Sequence, residues 1–191
     1  GTVTVISVGK PDTEPTLRKA LAIGADEAIR INANASDAYY IAAQIAAAAK
    51  PGNYDLILTG KESIDYNGAQ IGGMIAEIMG LPFVSISTRL TIEGAAATLE
   101  REIDGGKEII AAPLPLVASA QKGMAEPRIP NMRGIMSART KPLKVLEPVE
   151  APVLTATESY FLPEAKAACK LIAPDNPGEL LHLLHNEARI I

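Results

Sequence analysis

The first eighty residues alternate strand-like and helix-like stretches with short joints marked by glycine. No other feature narrows the possible folds as much. "TVTVISVG" (2–9) is rich in β-branched residues and stops at Gly9. Thr13 to Ala22 then carries a helical stripe of Leu17, Ala20 and Leu21, with Thr13 placed to cap it. "GADEAIRI" turns into a second strand ending near Ile31, and Asp37 to Ala49 reads as an alanine-rich helix with Ser36 at the capping position. "YDLILTG" is a third strand, apolar almost without interruption, the pattern of a strand covered on both faces. A further helix is predicted from Ala69 to Met79. This order predicts an α/β fold with a doubly wound parallel sheet, Rossmann-like, with right-handed crossovers. Ligands in such folds sit beyond the carboxyl ends of the strands, and Gly9 and Gly60 stand at two of those ends.

The rhythm then changes. "FVSISTRLTI", "AAATLEREID" and "KEIIAAPLPLVAS" are β-rich and separated by Gly94 and by Gly105-Gly106, which predicts a β-meander whose last part, "LPLVAS", returns to the main sheet. Residues 122–148 are rich in proline and cations and read as a loop with a short helix near Asn131–Arg139. Pro148, Pro152 and Pro163 mark an extended arm. A last helix spans 175–188, with Asp175 or Asn176 as its cap and Leu180, Leu181, Leu184 and Ala188 as its apolar face. The expected organisation is an α/β domain over 1–147 and a C-terminal arm with its helix over 148–191.

Composition excludes several classes. With 48% hydrophobic residues the chain can bury a core, yet no apolar run is long enough to span a membrane. The single cysteine, Cys169, cannot form an internal disulfide and points to a reducing, cytoplasmic setting. The absence of Trp and the presence of only two Phe argue against a stacking surface for nucleic acid. Residues 121–147 carry six cations against two acids in a chain of net charge −4, a basic patch suited to an anionic ligand or partner. His182 and His185 share a helix face, but a metal needs more ligands than Glu187 could add. No nucleophile–base arrangement is present, so no catalytic or metal-binding residue is expected.

"GKESIDYNGAQIGG" (60–73) is the candidate binding loop. The N–H groups of Ala69, Gln70, Ile71 and Gly72 at the predicted helix start can hold a phosphate, and Gly68 permits a tight turn beside it. Asp65 would repel a phosphate and belongs on the turn or sugar side. The loop is neither a Walker loop, having no Gly-Lys-Ser/Thr, nor a dinucleotide fingerprint, having no G-x-G-x-x-G.

Three stretches together resemble the β subunit of electron transfer flavoproteins: "LRKALAIGADEAIRI", "GKESIDYNGAQIG", and "EREIDGG" followed by "AEPRIPNMRGIMSARTKPLKV". The resemblance extends to about Val145 and implies an adenine-nucleotide α-hydrolase-like fold. It also implies an electron carrier, not an enzyme, that pairs with an α subunit bearing FAD. Such a carrier serves acyl-CoA dehydrogenases of fatty acid oxidation or other flavin dehydrogenases. The family's nucleotide loop falls on Gly60, Lys61, Glu62, Ser63, Ile64, Asp65, Tyr66, Asn67, Gly68, Ala69, Gln70 and Ile71, with a further contact at Val8. Its docking loop falls on Ala125 to Arg139, including Glu126, Pro127, Arg128, Arg133, Ile135 and Met136, with Met132 as the apolar anchor. Members that hold AMP tend to read Asp-Asp-Asp/Ser-x-Asn-Gln-Thr-Gly in the loop. "DYNGAQIG", with "RGIM" after the anchor, looks closer to bifurcating members that carry a second FAD, and AMP and FAD both stay open. The family's β subunits open with a strand, a loop and a helix ahead of the segment matching "TVTVISVG", which implies that this chain is a fragment with an exposed sheet edge prone to self-association. An alternative from another class is a nucleotide sensor or ATP-hydrolysing protein of the universal-stress type, although its glycine-rich phosphate motif is absent.

Overall fold

The computed structural model describes residues 1–34, 37–64, 67–166 and 168–191. Two compact units are present, Gly1–Ala156 and Thr157–Ile191. The first unit opens with β1 (Thr4–Val8), a short 3-10 turn, α1 (Glu14–Ile23), β2 (Glu27–Ile31), α2 (Ala38–Ala49), β3 (Leu56–Gly60) and α3 (Ile71–Met79). It continues with β4 (Phe83–Glu93), β5 (Ala96–Ile103), β6 (Gly106–Pro113), β7 (Leu116–Ala120), α4 (Met132–Ala138) and β8 (Leu143–Leu146). The strand–helix alternation is as the apolar periodicity predicts, and the fold is α/β with parallel β1–β2–β8 and β3–β7–β4 ladders.

The expected single sheet is two sheets, ordered β1-β2-β8 and β3-β7-β4-β5-β6. β7 returns to the centre of the second sheet, between β3 and β4, as read from "LPLVAS". β4, β5 and β6 form the antiparallel meander, and Gly105 (φ +85°) supplies the left-handed residue of its second turn. β8 was not expected. Its four residues sit in a segment read as loop, where Pro142 and two lysines mask the apolar pattern, and only pairing with β2 makes it a strand.

α1 and α4 lie against one face of the first sheet, where Leu17, Leu21, Ala28 and Ala138 pack with Val5 and Leu143. α2 covers the other face, where Ile29 and Ile31 meet Ile6, Val8, Tyr40 and Ala48. α2 also packs with α3 over Val117 of β7. α2 is capped by Asp37, whose carboxylate accepts from the Tyr40 N–H at 2.6 Å; the expected cap, Ser36, lies outside the described residues. The other Asp37 oxygen accepts the N–H groups of Leu154 and Thr155, and Gln44 exchanges two 2.7 Å hydrogen bonds with the Val149 backbone. These bonds strap 148–156 onto the first unit, so that unit runs past the boundary expected at 147 to Ala156. The second unit holds a helix, Pro177–His182, continued as a π turn over Leu183–Glu187, with Asn176 accepting from the Glu179 N–H. No described helix is long and apolar enough to cross a membrane.

Candidate functional site

β3 ends at Gly60 and the chain enters a compact loop before α3. The Lys61 N–H bonds the Ala120 carbonyl at 3.0 Å, and the Ser63 N–H bonds the Gly68 carbonyl at 2.9 Å, so Ser63 and Gly68 close the loop as a small antiparallel bridge. Asn67 takes a left-handed φ of +55°, which asparagine tolerates. α3 starts at Ile71, two residues later than the glycine and glutamine pattern predicted from Ala69. Its N-cap position is Gln70, which makes no side-chain capping bond. The first-turn N–H groups of Ile71, Gly72 and Gly73 therefore receive no capping bond from Gln70, and they carry the positive end of the helix dipole.

A cavity of about 410 Å³ opens onto this turn. Of the residues assigned to the nucleotide, Gly60, Glu62, Ser63, Gly68, Ala69 and Ile71 line it. Val8, Lys61, Ile64, Asn67 and Gln70 are not among its lining residues, Ile64 is fully in solvent, and Asp65 and Tyr66 lie outside the described residues. The Lys61 ammonium pairs with Glu62 at 3.1 Å, and both side chains are part-exposed.

Thr59 and Gly72 complete the wall and were not singled out as site side chains. The Thr59 Oγ1 is buried with no hydrogen-bond partner among the described residues, and a Cβ on Gly72 would stand 2.7 Å from it and 3.0 Å from the Phe83 ring. Glycine there lets the first turn of α3 press against the end of β3. One signal was available: Thr59 is the polar residue that interrupts "LILTG" just before the glycine. Arg30 was also missed. It is 4% exposed and ties the ends of β1 and β2 together through the Gly9 carbonyl (2.9 Å), Asn32 Oδ1 (2.8 Å) and Glu14 Oε1 (3.1 Å).

The second predicted surface sits on α4. Asn131 caps it by accepting the Gly134 N–H at 2.8 Å. Arg18 of α1 donates to the carbonyls of Ala138 and Lys141 at 2.7 and 2.8 Å, while Lys141 donates to those of Leu21 and Ala25 at 3.0 and 2.5 Å. Each cation thus satisfies the carboxyl end of the other's helix. A Cβ on Gly134 would stand 2.3 Å from the Ala22 carbonyl oxygen, so α4 lies directly on α1. This scaffold leaves Glu126, Pro127, Arg128, Met132, Arg133, Ile135 and Met136 exposed, with Met132 at 74%. Of the cations counted in the basic patch, Lys141 is committed to backbone carbonyls inside the fold, and Lys144, still exposed, pairs with Glu27 at 3.1 Å.

A model of the electron transfer flavoprotein domain matches residues 1–151. The chain belongs to the electron transfer flavoprotein family. The electron transfer flavoprotein subunit beta of Bacillus subtilis is 37% identical over 205 residues, covering 100% of this chain and 80% of that protein. The corresponding subunit of Syntrophomonas wolfei is 37% identical over 87% of this chain and 66% of its own length. The human subunit is 34% identical over 76% of this chain and 59% of its own length. The match includes both the loop after β3 and the α4 surface. Among the described residues no group of three His, Cys, Asp or Glu is placed to hold a metal ion.

Proposed function

We propose that this chain acts as the β-type component of an electron transfer flavoprotein. It holds an adenine nucleotide, AMP or a second FAD, in the cavity between Gly60 and Gly72, and pairs with an α subunit that carries FAD. It carries electrons and performs no catalysis of its own. The observation that supports the nucleotide site is the first turn of α3, which Gln70 does not cap, opening onto a cavity walled by Gly60, Gly68 and a Thr59 hydroxyl that has no partner among the described residues. A phosphate fits the N–H groups of Ile71, Gly72 and Gly73, which need an acceptor, and Gly68 and Gly72 allow close approach. Thr59 can donate to a phosphate or ribose oxygen. When bound, FAD would supply the redox chemistry; the residues here bind and orient the nucleotide.

We further propose that Glu126–Arg128 and Met132–Met136 dock flavin dehydrogenases, with Met132 as the apolar anchor and the basic neighbours selecting acidic partners. Flexible, polarizable methionines on a rigid helix suit recognition of more than one partner. The arm after Pro148 and the last helix are assigned to the α subunit contact, on the strength of Tyr160, Phe161 and Leu162, which are all exposed in the second unit. The universal-stress alternative shares the fold class but not the family.

The test is to co-express the chain with an α subunit of the family, purify the complex, denature it and identify the released nucleotides. AMP with one FAD identifies a simple carrier, and two FAD a bifurcating one. A complex releasing no nucleotide from this subunit would overturn the proposal.

A further inference from the structure

α1 and α4 touch where Gly134 meets the Ala22 carbonyl, and beside that contact they leave a groove of about 580 Å³. Its place follows from helix spacing. Pro15, Arg18, Lys19 and Ala22 stand at i, i+3, i+4 and i+7 and make one face of α1. Ile135, Ala138 and Arg139 repeat the spacing at the end of α4. Leu17 and Leu21 of α1 pack toward the sheet instead. Ala22 and Ala138 are short where longer side chains would fill the space, so the close approach at Gly134 leaves a hollow next to it. Pro130, in the segment entering α4, completes the wall.

The lining divides by chemistry. Its apolar part is aliphatic: two prolines, two alanines and Ile135. Its charged part is three cations, Arg18, Lys19 and Arg139. Among the described residues that line it there is no carboxylate and no aromatic ring. Arg18 is already anchored, since it donates to the carbonyls of Ala138 and Lys141. Both bonds leave from Nη1, so Nε and Nη2 have no partner among the described residues. That free edge of the guanidinium is the fork that takes both oxygens of one carboxylate. Lys19 and Arg139 make no ion pair or side-chain hydrogen bond among the described residues. Like charges around one hollow repel, and an anion between them relieves the repulsion. Because Arg18 is held before any ligand arrives, binding through it costs little side-chain entropy.

We propose that this groove is a binding site for a free aliphatic carboxylate. The alkyl body lies on Ala22, Ile135 and Ala138, and the head is taken by the Nε–Nη2 edge of Arg18, with Lys19 and Arg139 beside it. An alkyl body fits because the walls offer no ring face for stacking. The volume falls within the roughly 300–1,000 Å³ of small-molecule sites. The site rests on the packing of α1 against α4 and on neither the nucleotide nor the docking reading.

Isothermal titration calorimetry tests this on the 191-residue chain at low salt. The probes are hexanoate, octanoate and decanoate, each below the concentration at which it forms micelles. Octanoate should bind and raise the melting temperature, as a ligand of the folded state does and a detergent does not. Each added methylene should tighten binding by about two- to fourfold, the upper figure being that of a fully buried CH₂. Lys19→Gln combined with Arg139→Gln should weaken octanoate by about three- to tenfold and leave the melting temperature of the free chain unchanged, because neither side chain holds anything in the fold. Ile135→Ser should instead reduce the gain per methylene. Octanol or octyltrimethylammonium binding as tightly as octanoate would refute the head-group assignment. An unchanged affinity in the double variant would refute the location. Binding to vesicles of anionic phospholipid with none to monomeric octanoate would make a membrane surface the occupant and sink the proposal, as would a failure of all three carboxylates to bind.

Discussion

Replacing Asp37 with Ala removes two jobs at once, and their sizes differ enough to separate them. One oxygen caps α2 through Tyr40, and the other accepts the N–H groups of Leu154 and Thr155. Losing the cap costs about 1 kcal/mol. Each hydrogen bond to the carboxylate contributes roughly 1.5 kcal/mol or more, being charge-assisted. Leu154 and Thr155 are exposed, however, so their N–H groups can turn to water. Releasing the strap also returns about 1–2 kcal/mol of backbone entropy per freed residue. Local release therefore costs less than global unfolding with the strap in place. Asp37→Ala should lower global stability by only about 1–2 kcal/mol, the cap and a remainder, in urea denaturation. At the same time exchange at Leu154 and Thr155 should become fast. Val149 should stay protected, because Gln44 holds it through both its N–H and its carbonyl. Asp37→Asn should do no better at the strap, since an amide nitrogen facing two N–H donors accepts neither. Val149 losing protection together with Leu154, or a global loss above about 4 kcal/mol, would refute this reasoning by showing strap and core to be one cooperative unit. The same carboxylate sets a pH dependence. Its hydrogen bonds, that from Tyr40 foremost, hold its pKa below the ordinary aspartate value in the folded protein. Its contribution is thus complete above the unfolded pKa and is lost as the pH falls through the folded one, so Asp37→Ala and the parent should converge in stability at strongly acid pH.

Other perturbations have separate readouts. Gly134→Ala must move α4 off the Ala22 carbonyl, and despite the better helix propensity of alanine it should cost about 1–3 kcal/mol in thermal unfolding, while Gly178→Ala, whose Cβ would meet only Asn176 Oδ1 at 3.9 Å, should not destabilise. Arg30→Met strands the Gly9 carbonyl and Asn32, and should lower stability by roughly 2–3 kcal/mol, less than for a fully buried ion pair because Glu14 is 40% exposed and rehydrates. Met132→Ser should leave the melting temperature unchanged and slow electron transfer from a flavin dehydrogenase to the assembled complex; an unchanged rate would remove Met132 as anchor. Gly72→Ala should crowd Thr59 and Phe83 and weaken nucleotide retention in the complex more than it lowers stability, measured by nucleotide released per subunit.

The sequence by itself determined the order of elements, because helix and strand periods and the glycine joints are local properties. Gly60, Gly105 and the stripe of Leu17 and Leu21 announce turns and faces without reference to anything distant. It also carried the family, through "GKESIDYNGAQIG" and "AEPRIPNMRGIM". Tertiary structure decided what depends on partners far along the chain. β8 exists because β2 offers an edge. Asp37, and not the neighbouring serine, caps α2 and receives a strap from more than a hundred residues away. Arg18 and Lys141 spend their charge on each other's helix ends, so a basic patch counted from the sequence is smaller on the surface. Thr59 becomes a site residue only when Gly72 brings α3 against it. Most of all, the strand Leu56–Gly60 reads as covered on both faces, yet Leu58 in its middle is 51% exposed, because what packs on a strand is set by the tertiary structure and not by its own apolar run.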